Sequence, residues 1–336
     1  MKSILVTGGA GFIGSHTCVV LARAGHKLVI LDNFCNSHRG VIDQLTHLCG
    51  SRPLLIEGDV RNPATLDELF TNQTIDAVVH CAGLKAVGES IDSPLAFYDS
   101  NVVGTLQLLA AMNRAAVKII VFSSSATVYG NPTIIPIREN FTRSATNPYG
   151  RSKLIVEDIL ADLSLSDKAW RIARLRYFNP VGAHESGIIG ERPWGVPNNL
   201  IPYIAQVAAG QREHVSVFGD DYPTADGTGV RDYVHVCDVA EGHVLALKHL
   251  QNSKDMLTVN FGTGRGYSVL QVIRAFEKAS GRDIPYKVVP RRSGDVAECW
   301  ADATLAKTLL AWESRFDLNR MCIDAWRWQQ YCGAHL

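Results

Sequence analysis

Ile4-Leu5-Val6-Thr7-Gly8-Gly9-Ala10-Gly11-Phe12-Ile13-Gly14 is the stretch on which the fold turns. Its apolar, β-branched beginning has the character of a strand buried on both faces of a parallel sheet. Gly8, Gly11 and Gly14 then fall at spacings of three and lead into Ser15-His16-Thr17-Cys18-Val19-Val20-Leu21, a helical pattern. Such a strand, turn and helix bring side-chain-free backbone to the positive end of a helix, where a pyrophosphate can approach. The spacing is G-x-x-G-x-x-G, not the commoner G-x-G-x-x-G, so a glycine-rich turn without a ligand is a competing reading of these residues alone. The next apolar run, Leu28-Val29-Ile30-Leu31, ends in Asp32. A carboxylate about twenty residues past the glycines can accept both hydroxyls of a ribose. The same charge repels a 2′-phosphate, which favours NAD over NADP.

Strand and helix signals alternate through about the first 180 residues: Leu54 to Val60, Ala77 to Gly83, Lys118 to Ser123 and Ala173 to Phe178 read as strands with helical segments between them. The expected class is α/β, a Rossmann-type doubly wound parallel sheet with helices on both faces. Asp59-Val60 and Ala82-Gly83 fall at strand C-terminal ends, where ligands sit in such sheets, the first near an adenine and the second near a nicotinamide. Beyond residue 180, Pro, Gly and Asn cluster in Asn179 to Ala183 and again in Pro193 to Asn199. That texture predicts a smaller mixed α/β substrate-binding lobe. The expected division is residues 1–180 for the NAD-binding domain and 181–336 for the lobe, with returns to the first domain near 232–262 through a helical run and the strand-like Leu257 to Phe261. Trp312, Trp326 and Trp328 read as packed helix.

With 33 basic and 33 acidic residues and no basic cluster, the 336-residue chain offers nucleic acid or an anionic membrane little electrostatic attraction. No apolar stretch reaches transmembrane length, and with a core strand so near the first residue no signal peptide is expected. The eight cysteines are scattered without a C-x-x-C pair, and Cys18 and Cys81 sit in apolar runs. They read as reduced thiols of a cytoplasmic protein. His16, His80, His235 and His243 show no ligand spacing, so no metal is expected.

Chemistry enters with Tyr149-Gly150-Arg151-Ser152-Lys153. Tyr149 and Lys153, at i and i+4, share one helix face, so the ammonium is expected to stabilise the phenolate and depress its pKa. Y-x-x-x-K alone is a weak signal; the glycine-rich opening gives it weight.

Three motifs, Thr7 to Gly14, Ser123-Ser124-Ser125-Ala126-Thr127-Val128-Tyr129-Gly130 and Tyr149-x-x-x-Lys153, resemble the extended short-chain dehydrogenase/reductases. Within these, the sequence is similar to the UDP-glucose (UDP-galactose) 4-epimerases through Ala82 to Ser90, Leu175 to Ala183, Pro197 to Leu200, Asp226 to Tyr233 and Arg291-Arg292-Ser293-Gly294-Asp295. The resemblance spans nearly the whole chain, and the later segments are its specific part. It implies tightly bound NAD and a UDP-sugar substrate. Tyr149 would take the sugar O4 proton while C4 gives up hydride, the 4-keto sugar would swing about its diphosphate link, and hydride would return to the other face. Free tyrosine titrates near pH ~10, and each unit of depression needs about 1.4 kcal/mol, for which Lys153 and the nicotinamide ring are the implied cations. Ser125 would bond O4 and pass the proton.

The resemblance implies a cofactor set of Gly8, Gly11, Phe12, Ile13, Gly14, Asp32, Asn33, Asn36, Ser37, Asp59, Val60, Cys81, Ala82, Gly83, Lys85, Asn101, Tyr149, Lys153 and Phe178. The implied substrate set is Lys85, Ser125, Tyr149, Tyr177, Asn179, Asn199, Leu200, Phe218, Arg231, Arg292, Asp295 and Cys299. Alone, Arg231 and Arg292 read as surface salt-bridge partners; the resemblance makes them diphosphate ligands.

One position departs from the family. Members restricted to glucose and galactose carry a bulky Tyr before Trp300-Ala301-Asp302, where this chain has Cys299. The thiol frees space for an N-acetyl group and extends the expected range to UDP-GlcNAc and UDP-GalNAc. A 4,6-dehydratase of the same superfamily is the nearest rival, but it needs acidic residues after the Ser, and Ala126-Thr127 follows Ser125. A non-catalytic NAD-binding regulator would not need the Ser/Tyr/Lys set, and a simple alcohol dehydrogenase would not need the UDP segments. The family is mostly homodimeric through helices of the nucleotide lobe. The apolar stretches Val102 to Met112 and Leu154 to Leu163 suit either that role or core.

Overall fold

The computed structural model describes every residue except Lys254, Ser293, Gly294 and Leu336. The opening run forms β1 (Ser3–Thr7), and α1 (Phe12–Arg23) leaves the glycine turn. Then come β2 (Lys27–Asp32), α2 (Val41–Cys49), β3 (Leu54–Glu57), α3 (Pro63–Asn72), β4 (Ala77–His80), α4 (Val87–Asp92) and α5 (Pro94–Tyr98). A π-helical turn (Asp99–Val103) continues into α6 (Gly104–Arg114), followed by β5 (Ile119–Ser125), α7 (Pro148–Ser166), β6 (Arg171–Tyr177) and β7 (Asn179–Val181). The rest is α8 (Leu200–Ala208), β8 (Val215–Phe218), β9 (Val230–His235), α9 (Val236–Asn252), β10 (Leu257–Phe261), β11 (Gly266–Ser268), α10 (Val269–Ser280), β12 (Tyr286–Val289), β13 (Glu298–Cys299), α11 (Thr304–Leu310) and α12 (Leu318–His335).

Seven parallel strands form the central sheet in the order β10-β6-β5-β4-β1-β2-β3. From β1 the chain winds outward through β2 and β3, then crosses back to β4, and the reversal opens a crevice at the carboxyl edge between β1 and β4. The two-residue period of the strands sorts the core. Ile4, Val6 and Ile30 face α1, α2 and α9, whereas Leu5, Val29 and Leu31 face α3, α6 and α7. Each such side chain, fully buried, contributes about 1.5–3 kcal/mol.

Strand ends differ from the sequence reading. Gly58-Asp59-Val60 and Cys81-Ala82-Gly83 lie beyond the ends of β3 and β4 as loops. β5 runs past Ser123 to Ser125, because Ser123, Ser124 and Ser125 pair with Leu175, Arg176 and Tyr177 of β6. Ladder pairing there outweighs the weak strand preference of serine. The start of α7 is set locally: the Asn147 side chain accepts from Gly150 N at 2.8 Å, and Pro148 takes the first helical position.

The returning β10 joins the central sheet beside β6, and α9 packs across α1. The second lobe holds β7, β9, β11 and β13 in one sheet and β8 with β12 in another, around a core that includes Val181, Ile204, Val217, Phe276 and Met321. Trp326 and Trp328 lie in α12. Trp312 precedes it, stacks on Phe261 at 4.5 Å and donates to Asp238 O at 2.8 Å.

Candidate active site

A cavity of about 870 Å³ opens at the carboxyl edge of the central sheet and is walled by both lobes. At its base the glycine turn is sterically committed. Gly8 has φ +68, and a Cβ on it would lie 2.7 Å from Ala82 N. A Cβ on Gly14 would lie 2.1 Å from Gly8 O. No side chain caps the first turn of α1, and that turn carries no acid. Free N–H groups and the positive helix end therefore face the cavity, which suits a pyrophosphate.

Gly8, Gly11, Phe12, Ile13, Gly14, Asp32, Asn33, Asn36, Ser37, Asp59 and Val60 all line this part of the cavity. Asp32 is already engaged: Oδ2 accepts from Ala10 N and Oδ1 from Phe34 N and Ser37 Oγ, each at 2.9 Å. A carboxylate offers about four acceptor sites, so one ribose hydroxyl fits without rearrangement, not two. Asp59 accepts four hydrogen bonds, three from Arg61 and one from Asn33 Nδ2 at 2.8 Å. The Arg61 hydrogen bonds hold its carboxyl down at about 2. An adenine amine can reach Asp59 only by displacing Asn33.

Cys81, Ala82, Gly83, Lys85 and Phe178 line the cavity farther along, toward Lys153. Asn101 stands buried behind the wall, where Oδ1 accepts from Leu84 N at 2.8 Å and Nδ2 donates to Leu84 O at 3.0 Å and Ser152 Oγ at 2.9 Å. Its amide shapes the Gly83-Leu84 turn, whose residues line the cavity.

Ser125, Tyr149 and Lys153 meet in the cavity, Ser125 from the end of β5 and the others from the first turns of α7. Burial raises the Tyr149 phenol above its usual value, and a hydrogen bond with Ser125 opposes that rise. Lys153 donates to Ser123 O at 3.0 Å and lies 4.9 Å over the Phe122 ring, and burial pushes it down to about 8. The expectation that Lys153 depresses Tyr149 is thus not met by the protein alone. Spacing of i and i+4 places the Cβ atoms together, but the long lysine stem carries its ammonium to the strand carbonyl. The Ser125 hydroxyl accepts from Thr127 Oγ1 at 2.9 Å and Thr127 N at 3.2 Å.

Tyr177, the ladder partner of Ser125, lines the middle of the cavity, and Asn179, Asn199, Leu200, Phe218, Arg231, Arg292 and Asp295 line the rest toward the second lobe. Two arginines converge on Asp295: Arg292 through Nε at 3.2 Å and Nη2 at 3.3 Å, and Arg231 through Nη2 at 3.7 Å. Arg292 also covers the Phe218 ring at 5.3 Å. Ser293 and Gly294 of the quoted motif lie outside the described residues. Asn179 Nδ2 donates to Asp232 O at 3.1 Å. Cys299 lies opposite the cavity-lining Arg231 in the β13–β9 ladder and packs against the cluster of Val128, Tyr129, Ile137, Phe178 and Ala301, of which Phe178 also lines the cavity.

The sequence reading misses Glu191, which pairs with Lys85 and accepts from Asn199 Nδ2 at 2.7 Å. Its only signal is an acid within the Pro/Gly/Asn-rich stretch. Among the described residues no group of three His, Cys, Asp or Glu is placed to hold a metal, and no helix is long and apolar enough to cross a membrane.

The family model that matches, over residues 5–325, is that of GDP-mannose 4,6 dehydratase. UDP-glucose 4-epimerase of Bacillus subtilis (strain 168) is 54% identical over 327 residues, 97% of this chain and 96% of that one. The chain belongs to the UDP-glucose 4-epimerase family. Solved structures of this family superpose end to end. The Stenotrophomonas maltophila UDP-glucose 4-epimerase, with bound NAD and formylated UDP-arabinopyranose, matches with TM-score 0.98 and 52% identity over 100% of both chains. The Bifidobacterium longum UDP-glucose 4-epimerase, in complex with NAD+ and UDP, matches with TM-score 0.97 and 48% identity, also over 100% of both.

Proposed function

We propose that this chain catalyses reversible, NAD-dependent C4 epimerisation of UDP-hexoses, interconverting UDP-glucose and UDP-galactose. The observation that carries the reading is a single cavity with Ser125, Tyr149 and Lys153 in its middle, a glycine cradle at one end and two arginines at the other. Full-length similarity to UDP-glucose 4-epimerases supports it.

NAD+ would supply a hydride acceptor and a positive charge, taking the hydride from C4 and giving it back. The first turn of α1 would hold its pyrophosphate, Asp32 a hydroxyl of one ribose, and Lys153 the other ribose. Tyr149 takes the proton from the sugar O4 and later returns it. Ser125, whose hydroxyl accepts from Thr127 N and Oγ1, has one proton to give, to the Tyr149 oxygen or to the sugar O4 in turn. Arg231 and Arg292 leave Asp295 for the diphosphate, which frees Asp295 for the uridine ribose. Gripped only there, the 4-keto sugar can turn its other face inward. Residues 1–180 with the 232–262 returns form the NAD-binding domain, and residues 181–336 supply the nucleotide grip.

The substrate range extends to UDP-GlcNAc and UDP-GalNAc. Cys299 sits beside Arg231 in the ladder, so the smaller residue leaves that flank of the cavity open where a Tyr would add bulk. The protein is a homodimer: Ile91, Leu95, Val103 and Leu106 are exposed on successive helical segments, Leu95 to 81%. Eight free thiols suit the reducing cytoplasm.

The test is product analysis with UDP-galactose and, separately, UDP-GlcNAc, without added NAD+. UDP-glucose and UDP-GalNAc are the expected products. Turnover of UDP-galactose alone would remove the N-acetyl range. A 4-keto-6-deoxy sugar would establish the dehydratase chemistry of the matched family model, against which Ala126-Thr127 stands in place of acids.

A further inference from the structure

Glu157 lies one helical turn beyond Lys153 and two beyond Tyr149, so α7 carries the three on one stripe. Its side chain is 0% exposed. Arg176 of β6, 2% exposed, grips it through Nε at 2.9 Å and Nη2 at 2.6 Å. Ser124 Oγ donates to Glu157 Oε1 at 2.6 Å, and Ser124 and Arg176 are register partners in the β5–β6 ladder. Arg176 also donates to Tyr129 OH at 2.8 Å, whose proton goes to Asn260 Oδ1 of β10 at 2.6 Å. Burial works to raise the Glu157 carboxyl, but the Arg176 hydrogen bonds and charge, with Ser124, outweigh it and keep the group ionised.

The serine run therefore bonds α7 twice, and its third residue shares the cavity with Tyr149. The Ser123 carbonyl accepts from Lys153 at 3.0 Å and the Ser124 hydroxyl donates to Glu157 at 2.6 Å. Ser125 and Tyr149 line the cavity together, and of the two bonds the one to Glu157 is the shorter. Two buried opposite charges tolerate little change of geometry.

We infer that Glu157 is a positioning residue for the reaction: through Ser124 and Arg176 it sets the distance and rotation between the end of β5 and α7, and so how closely Ser125 approaches Tyr149. The inference rests on the epimerase reading for its kinetic consequence but not for its structural one. Loosening the clamp lets Ser125 draw away from Tyr149 and lose its lowering effect on the phenol, so the titration of Tyr149 moves upward.

Ser124→Ala is the decisive variant, because Arg176 still satisfies Glu157 and the fold is kept. With UDP-galactose, kcat at neutral pH is expected to fall about tenfold with KM changed less than about twofold. The activity limb that follows Tyr149 ionisation should move up by about one pH unit, so that alkaline pH restores the rate. Hydrogen exchange of residues 147–157 should speed up while β1 to β4 exchange as before. Glu157→Gln should show the same pattern more strongly; should it fail to fold, Ser124→Ala alone decides. An unshifted pH limb or unchanged exchange at 147–157 in Ser124→Ala overturns the inference. Wild-type protein that leaves UDP-galactose unconverted refutes the epimerase reading separately, and the exchange comparison then decides the clamp by itself.

Discussion

Tyr149 is where the residue-scale argument is sharpest. Alone in the protein its phenol is harder to ionise than free tyrosine, because burial outweighs the Ser125 hydrogen bond. The group is nonetheless a proton carrier whose partner, Ser125, is in place. Tyr149→Phe removes the carrier while keeping the ring, so kcat for UDP-galactose should fall about 10²–10⁴-fold. Bound NAD, measured after denaturing the purified protein, should stay close to wild type, since the glycine turn and Asp32 are untouched. Retained activity would assign the proton transfer to another group. Identity and spacing made Tyr149, Lys153 and Ser125 legible in the sequence. The end of a side chain was not: Lys153 reaches the Ser123 carbonyl, Asn101 bonds the Leu84 backbone, and Cys299 packs against the cluster around Tyr129.

The element that matters most is the turn between β1 and α1. Its glycines are not equivalent. A Cβ at Gly14 would sit 2.1 Å from Gly8 O, whereas one at Gly11 meets only that oxygen, at 3.2 Å. Gly14→Ala should therefore lower the melting temperature and lose NAD, as overpacking against backbone costs about 1–3 kcal/mol or more. Gly11→Ala should fold with a nearly unchanged melting temperature yet retain less NAD, because its methyl intrudes on the face offered to the pyrophosphate. Equal NAD content in Gly11→Ala and wild type would place the pyrophosphate elsewhere. Helix starts such as Asn147-Pro148 are readable because capping is local. Strand ends are less so. Serine has no strong strand preference, and the last residues of β5 are strand only because β6 pairs with them.

The molecule as a whole carries several buried imidazoles that its pH response exposes. Burial lowers His16 and His80 to about 3 and His243 to about 4, below the usual 6.5. These histidines charge in the unfolded chain as pH falls through about 6.5, while in the folded protein they stay neutral until pH 3–4. The unfolded state then binds more protons, and stability drops as the solution is acidified. The three together give a slope of about 3–4 kcal/mol per pH unit between pH 6 and 5. Asp232 and Asp238, raised by burial, oppose this toward pH 4. Urea unfolding at pH 6.0, 5.5 and 5.0 reads the slope. A flat profile would mean that the histidines gain protons without unfolding.

The alternation that becomes a parallel sheet, the glycine turn, the Ser/Tyr/Lys set and the lobe rich in Pro, Gly and Asn can all be read along the chain. Each rests on properties of a residue and its near neighbours: periodicity, backbone freedom, functional-group chemistry. The return of β10 and α9 to the first sheet follows that reading as well, whereas the packed fold alone brings Glu191 between Lys85 and Asn199, Asp295 between Arg231 and Arg292, and Glu157 onto the serine strand. These contacts join residues far apart along the chain. Which acceptor a long side chain chooses depends on the polar groups left unpaired once the sheet and helices have packed.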